Sequence, residues 1–223
     1  MTNLLEGSNP SPSAMSENDL TQAELLELGA ATLGESGGRP MRARIRAAWS
    51  GARLAAPAFP VQCTPGDNLA IHVAVAEAPT GYALVVDVGD QPELGYWGEV
   101  LTTGAQGRGL AGLVIDGGVR DISALAAHHF PVFSTMIALR GATKDKPGTV
   151  GARITVGDVD VEPGDWLVGD SDGVTVVSAA ALADVLVAGR ARAAKEERYF
   201  AALRSGATTI ELLDLDGSPV ERA

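Results

Sequence analysis

Two short segments of the chain bring together residue types that handle anions. In Gly95-Tyr96-Trp97-Gly98-Glu99-Val100-Leu101, two glycines precede a stretch with helical spacing. The first N–H groups of a helix lack intrahelical acceptors and stand at the positive end of its dipole, and a glycine there lets a ligand reach the backbone. The segment reads as a cradle for a carboxylate or phosphate, or as a tight strand-to-helix turn. In Val114-Ile115-Asp116-Gly117-Gly118-Val119-Arg120-Asp121, an apolar strand runs into a Gly-Gly turn that sets Arg120 and Asp121 side by side at the strand's carboxyl end. Open α/β sheets bind ligands at that edge. Arginine grips a carboxylate through two parallel hydrogen bonds, and an adjacent carboxylate is a hard oxygen donor suited to Mg²⁺ or Mn²⁺. The pair would hold a keto acid between a guanidinium and a metal. The plainer alternative is an ion pair that caps the next helix.

Other segments carry weaker signals. Gly169-Asp170-Ser171-Asp172-Gly173 has the composition of a calcium loop without its spacing or distal glutamate, and reads as a hairpin turn. His128-His129 falls at a helix end, a favourable place for histidine. His72 sits on an apolar helix as a packed core residue. Gly141-Ala142-Thr143-Lys144 lacks the spacing of a nucleotide loop, and Lys144 and Lys146 lie in a polar loop unlike the desolvated setting of a Schiff-base lysine. Lys195-Glu196-Glu197-Arg198 reads as a solvated helix face, with a glutamate able to reach a neighbouring subunit.

The elements that must position these groups alternate. After a tail over 1–20, a helix over Thr21 to Gly34 follows from a Thr21–Glu24 capping pattern and Leu25, Leu26, Leu28 and Leu33. Met41 to Ala48 is ambiguous between helix and strand. Strands are expected over Ala58 to Cys63, Tyr82 to Val88, Ala111 to Ile115 and Pro131 to Phe133. Helices are expected over Leu69 to Ala78, Gly98 to Gly107 and Ser123 to His128. This is an α/β layer. Short strands at Arg153 to Val156, Val159 to Val161, Trp166 to Gly169 and Val174 to Val177 suggest a β-rich second layer, and Ala179 to Leu203 forms a long closing helix.

Composition narrows the function. With 17 Lys and Arg against 28 Asp and Glu, the 223 residues carry a formal charge of −11. Such a surface repels phosphate backbones, and 3 Trp, 3 Tyr and 4 Phe offer few stacking platforms, so nucleic-acid binding is disfavoured. The basic cluster Arg39, Arg42, Arg44, Arg46 and Arg53 reads as a solvated helix face or a subunit contact. The single Cys63 excludes an internal disulfide framework. No apolar run reaches the ~18 residues that span a bilayer, and an N-terminal region with Glu6, Glu17 and Asp19 does not look secretory. A cytoplasmic protein is expected.

Taken in order, Gly66-Asp67-Asn68, Gly98-Glu99-Val100-Leu101, Arg108-Gly109-Leu110-Ala111-Gly112, Asp116-Gly117-Gly118-Val119-Arg120-Asp121, Phe130-Pro131-Val132-Phe133, Pro163-Gly164-Asp165 and Gly169-Asp170-Ser171-Asp172-Gly173-Val174 resemble the RraA-like family over residues 21–213. That family includes the class II 4-hydroxy-4-methyl-2-oxoglutarate aldolases and the regulators of ribonuclease E activity. The resemblance implies an α/β fold, an α/β/β sandwich related to swivelling phosphohistidine-type domains with a long C-terminal helix, between tails at 1–20 and 214–223. It implies homotrimers or dimers of trimers. It further implies that Asp121 ligates Mg²⁺ or Mn²⁺, Arg120 binds the pyruvyl group, the backbone of Gly98, Glu99, Val100 and Leu101 receives the substrate carboxylate, Glu99 helps hold metal-bound water, and Glu196 or Glu197 reaches in from a neighbouring subunit. The activity implied is metal-dependent cleavage of a 4-hydroxy-2-keto acid to pyruvate, with oxaloacetate decarboxylation as a companion. The alternative is a non-catalytic protein-binding regulator. Asp158, where many members have glycine, and Ser178, where proline is common, depart from the pattern away from the proposed site. A methyltransferase is rejected, because the glycine-rich nucleotide loop is missing.

Overall fold

The computed structural model describes residues 16–221; the expected tail lies outside it as far as residue 15. The first helix, α1 (Glu17–Gly34), begins earlier than the Thr21–Glu24 pattern predicts. Ser16 Oγ accepts the Asp19 amide at 3.2 Å while the Asp19 carboxylate accepts the Ser16 amide at 3.0 Å, so an aspartate does the work that glutamate does in the usual capping box. Gly29, at φ 78°, interrupts α1. There the Ala30 amide donates to Asp170 Oδ2 at 2.8 Å, which restarts the helix with a cap borrowed from the distant Gly169–Gly173 turn.

The ambiguous stretch from Met41 to Ala48 holds one short strand, β2 (Arg46–Ala47), and another, β1 (Arg39–Pro40), stands just before it. The arginine cluster is therefore not a helix face. Arg44 pairs with Asp116 through two bonds of 2.6 and 3.0 Å, Arg39 meets Asp165 at 3.1 Å, and Arg42 pairs with Asp158. Arg46 and Arg53 donate to the carbonyls of Asp172 and Leu26. The cluster stitches the chain to itself.

The centre of the molecule is β3 (Leu54–Cys63), whose ten residues serve two sets of neighbours. Its second half lies parallel to β4 (Ala83–Asp87), and the parallel order continues through β6 (Gly112–Val119) to β7 (Val132–Ile137), with β5 (Gly95–Trp97) beside the end of β6. The helices α2 (Leu69–Glu77), α3 (Glu99–Gly107) and α4 (Ile122–Ala127) make the crossovers. The first half of β3 pairs antiparallel with β11 (Trp166–Asp170), which pairs with β12 (Gly173–Val177). These two strands thus extend the main sheet, a correction to the separate second layer read from the sequence. A ten-residue strand reaches about 33 Å, enough for different partners on each half. β8 (Gly148–Val150) pairs with the end of β3, and only β9 (Ile154–Val156) and β10 (Val159–Val161) form a hairpin of their own.

Alternation sorts the side chains into three cores. Leu84, Val86, Leu113 and Ile115 face Ile71, Leu101, Ala105 and Leu125 of the crossover helices. Val85, Val114, Phe133 and Leu167 face Ile154, Val156 and Val161 of the hairpin. Ala55, Trp166, Val168 and Val177 take Leu25 and Leu33 of α1 with Val185 and Leu186 of α5 (Leu182–Arg204), the long closing helix. A short α6 (Thr209–Leu213) follows. The result is a mixed α/β fold with a curled sheet, and no described helix is long and apolar enough to cross a membrane.

The Gly117-Gly118 pair is not a turn. β6 runs through it to Val119, with a shift of register against β7 between Ile115 and Gly118. A Cβ at Gly118 would sit 2.5 Å from the Leu94 carbonyl, and one at Gly117 2.8 Å from Val88, so crowding by β5 and its approach selects glycine here. The same logic holds at Gly169, where a Cβ would lie 2.6 Å from the Phe133 ring. Gly169→Ala is expected to lower stability by about 1–3 kcal/mol through overpacking. In chemical denaturation, its cost should shrink when Phe133 is also changed to Leu. Additive losses would show that the two residues do not compete for that space.

Candidate functional site

The carboxyl ends of β5 and β6 lie side by side, paired Gly95 to Gly118 and Trp97 to Val119, with the Arg120 amide donating to the Trp97 carbonyl at 2.9 Å. The N-terminus of α3 and the Arg120-Asp121 pair are thereby brought together. Asp121 adopts a left-handed conformation, φ 59° and ψ 37°, which aspartate tolerates better than most residues at a cost of about 1–2 kcal/mol. Its Oδ2 accepts the Glu99 amide at 3.0 Å, a charge-assisted bond at the positive end of a helix. The Arg120 Nε stands 3.8 Å from the same oxygen. A Cβ at position 98 would fall 2.4 Å from Asp121 Oδ2 and 3.1 Å from Arg120 Cγ, so only glycine lets the two loops close on each other. With the Glu99 amide engaged, the Val100 and Leu101 amides have no acceptor among the described residues.

These groups line a cleft of about 180 Å³ together with Asn68, His72, Tyr96, Trp97, Ala142 and Lys144. Its apolar floor is fixed by hydrogen bonds: Trp97 Nε1 donates to Thr102 Oγ1 at 2.7 Å and its ring stacks on Phe130, while the Tyr96 hydroxyl donates to the Gln91 carbonyl at 2.6 Å. The opposite wall is the loop from Gly141 to Pro147, bolted down by the buried Asp67. That carboxylate accepts the Leu69 amide, the Thr143 hydroxyl and the Asp145 amide, each at 2.7 Å, and the Lys146 amide at 3.2 Å. Burial pushes its pKa up, but these bonds outweigh burial and hold it well below the usual carboxylate range.

His72 is not the core residue its apolar helix predicts. It is half-buried and lines the cleft, with Nε2 closed off from solvent and lacking a hydrogen-bond partner among the described residues. Asn68, 4% exposed, donates from Nδ2 to the Tyr96 carbonyl at 2.8 Å, which leaves its Oδ1 buried and unpartnered. Burial, then the Lys144 ammonium, lowers the His72 pKa, and Asp67 opposes them. The sequence signal was the i, i+4 spacing of two polar residues at the start of an otherwise apolar helix.

Gly98, Val100, Leu101, Arg120 and Asp121 therefore line one cleft. Glu99 contributes its amide, but its carboxylate turns outward to His128, 3.5 Å from Nε2, while His128 Nδ1 lies 2.8 Å from Gln106 Oε1. Glu196 and Glu197 lie on α5, paired with Arg192 at 2.8 Å and Arg204 at 3.1 Å, and within one chain they do not line the cleft. No group of three or more His, Cys, Asp or Glu side chains among the described residues is placed to hold a metal ion. What the cleft offers is the one carboxylate of Asp121, a hard donor. That suits a cation such as Mg²⁺, which keeps several waters and binds through one or two carboxylates plus its substrate.

Comparison with known proteins identifies the family and the fold. Residues 19–176 match the model of the RraA-like family, described as Aldolase/RraA. A protein of Halalkalibacterium halodurans named "Putative 4-hydroxy-4-methyl-2-oxoglutarate aldolase" is 35% identical over 145 residues, 65% of this chain and 69% of that protein. Among solved structures, an uncharacterised protein from Pseudomonas syringae superposes with a TM-score of 0.76 at 26% identity, covering 86% of this chain and 96% of its own. The RNA-processing inhibitor RraA from Thermus thermophilis gives a TM-score of 0.61 at 25% identity, covering 66% and 91%.

The Asp67 bolt is testable by pH. A carboxylate whose pKa is depressed by folding adds stability above its unfolded value of about 3.9, and that stability is lost as pH falls through the folded value. Asp67→Asn is expected to cost about 1–3 kcal/mol at pH 7. The gap between parent and variant should narrow below about pH 4 in urea titrations. A gap of constant size would show that the charge of Asp67 is not what holds the loop.

Proposed function

Because the chain belongs to the RraA-like family, we propose that this cleft is the active site of a divalent-metal-dependent carbon–carbon lyase. It cleaves a 4-hydroxy-2-keto acid of the 4-hydroxy-4-methyl-2-oxoglutarate type to pyruvate, with decarboxylation of oxaloacetate as a companion reaction. The observation that carries the reading is the convergence of Arg120, Asp121 and the open Val100 and Leu101 amides on one cleft.

The chemistry follows from the charges. Cleaving the bond between C3 and C4 leaves the enolate of pyruvate, and catalysis consists of stabilising its negative charge as it forms. The substrate carboxylate is received by the Val100 and Leu101 amides at the positive end of α3. Arg120, fixed by its backbone bond to Trp97, reaches the pyruvyl group with a planar two-point contact. A divalent cation, Mg²⁺ or Mn²⁺, held by Asp121 would supply Lewis-acid stabilisation of the C2 oxygen. The floor of Trp97, Tyr96 and Leu101 sets an apolar surface beneath the reacting carbon. Loss of carbon dioxide from oxaloacetate produces the same enolate and needs the same groups. Glu196 or Glu197 would complete the site from a neighbouring copy in a homotrimer or dimer of trimers, and the acidic, single-cysteine chain suits the cytoplasm.

The alternative is a non-catalytic regulator that binds another protein. Its support is the likeness to the Thermus inhibitor and the strong exposure of the apolar side chains Val100, Ile137 and Leu139. The two readings separate in a pyruvate-release assay over 4-hydroxy-2-keto acids and oxaloacetate, with Mg²⁺ or Mn²⁺ and with chelator. Metal-dependent release is expected, and its absence throughout the panel leaves the regulator. Asp121→Asn should abolish turnover at limiting metal while the fold survives. Arg120→Lys, which keeps the charge but not the planar fork, should lower kcat by about 10²-fold. Oxalate, which resembles the enolate, should raise the melting temperature of the parent in the presence of metal. Undiminished turnover and oxalate stabilisation in the Arg120 variant would make Arg120 a structural ion-pair partner.

A further inference from the structure

The lyase reading leaves one step without a residue: a group must take the proton from the C4 hydroxyl as the carbon–carbon bond breaks. We propose that His72 is this proton acceptor; the proposal rests on the lyase reading of the cleft and extends it.

Three observations support it. His72 Nε2 and Asn68 Oδ1 are buried polar atoms without partners among the described residues, and both side chains line the cleft that holds Arg120 and Asp121. An unsatisfied buried polar atom costs about 1–3 kcal/mol, so two of them on one face of α2 mark a place built to meet a polar group. The Asn68 amide cannot turn over to relieve this, because its Nδ2 is held by the Tyr96 carbonyl. Finally, a neutral imidazole keeps one ring nitrogen with a free lone pair, and no protein group among the described residues occupies Nε2.

The electrostatics are in keeping with the role. The charged groups facing His72 are Lys144 on the loop wall and Asp67 at the foot of α2, with Arg120 and Asp121 across the cleft. Burial and Lys144 favour the neutral ring, the form that accepts a proton at pH 7. The imidazole is partly exposed while Nε2 is buried, and its terminal torsion is broad, so the ring can turn that nitrogen toward a bound ligand.

The step balances without a co-reactant. Nε2 takes the hydroxyl proton, and the O–H electron pair becomes the second bond of the new C4 carbonyl. The C3–C4 pair moves onto C3 and is delocalised to the C2 oxygen as the enolate. The imidazolium then gives the same proton to C3, producing the methyl group of pyruvate and restoring the neutral ring. Decarboxylation of oxaloacetate has no hydroxyl proton to remove, and solvent can protonate the enolate it forms.

This difference supplies the test, run on the full chain with Mg²⁺ and with both 4-hydroxy-4-methyl-2-oxoglutarate and oxaloacetate. His72→Gln should lower kcat for aldol cleavage by about 10²-fold or more, and decarboxylation by far less, so that the ratio of the two rates falls at least about tenfold. The acidic limb of the kcat/KM profile for cleavage should disappear, and added imidazole should restore part of the cleavage rate to His72→Ala. Decarboxylation serves as the control for folding, and His72→Asn replaces the glutamine variant if that one does not fold. A parent that releases pyruvate from neither compound overturns the lyase reading and this proposal with it. A parent active on both, with variants that keep the ratio of rates or lose both activities equally while folded, overturns the assignment of His72 alone.

Discussion

The hydrogen bond from the Glu99 amide to Asp121 Oδ2 is the interaction around which the cleft is arranged. It joins the start of α3 to the end of β6 and requires that position 98 carry no side chain, since a Cβ there would collide with the carboxylate it is meant to admit. It also needs Asp121 in a left-handed conformation that most residues would resist. Once it is made, Arg120 and Asp121 face the same space, and the next two amides of α3 remain free to receive a ligand. Strain at Asp121 is thus coupled to preorganisation of the cleft, as is usual where backbone outliers cluster at functional sites.

The electrostatic layout is local and opposed to the whole. A chain with a formal charge of −11 repels small anions at a distance, yet the cleft collects Arg120, Lys144 and a helix N-terminus against the single carboxylate of Asp121. Asp67 makes this possible without joining the chemistry. It is buried, satisfied by three backbone amides and a hydroxyl, and it fixes the loop that carries Lys144. The positive wall is therefore held by a buried negative charge behind it.

The parts of the fold legible in the sequence are those set by local pattern. The apolar runs around Tyr82 to Val88 and Ala111 to Ile115 are strands, and Gly98 to Gly107 forms a helix whose free end was visible from its glycine. What escaped was set by packing at long range. Gly117 and Gly118 read as a turn because glycine pairs commonly make one, but here the connecting segment with Val88, Pro92 and Leu94 packs against β6 and demands the missing side chains. β11 and β12 read as a separate layer because nothing local shows that β3 is shared between two sets of partners. The arginine cluster read as a helix face or a subunit contact, although its partners Asp116, Asp158 and Asp165 lie far along the chain. At the site, Arg120 and Asp121 were legible as adjacent residues, whereas His72 was hidden by the apolar helix that carries it.

On the proposed reading, Asp121 and the N-terminus of α3 form one receptor for a cation and a keto-acid carboxylate. Anomalous diffraction at the manganese edge, from crystals grown with Mn²⁺ and oxalate, tests it most directly. A single manganese peak is expected at the Asp121 carboxylate, with oxalate between the ion, Arg120 and the Val100 and Leu101 amides. Manganese bound elsewhere, with this cleft free of both ion and oxalate, would contradict it.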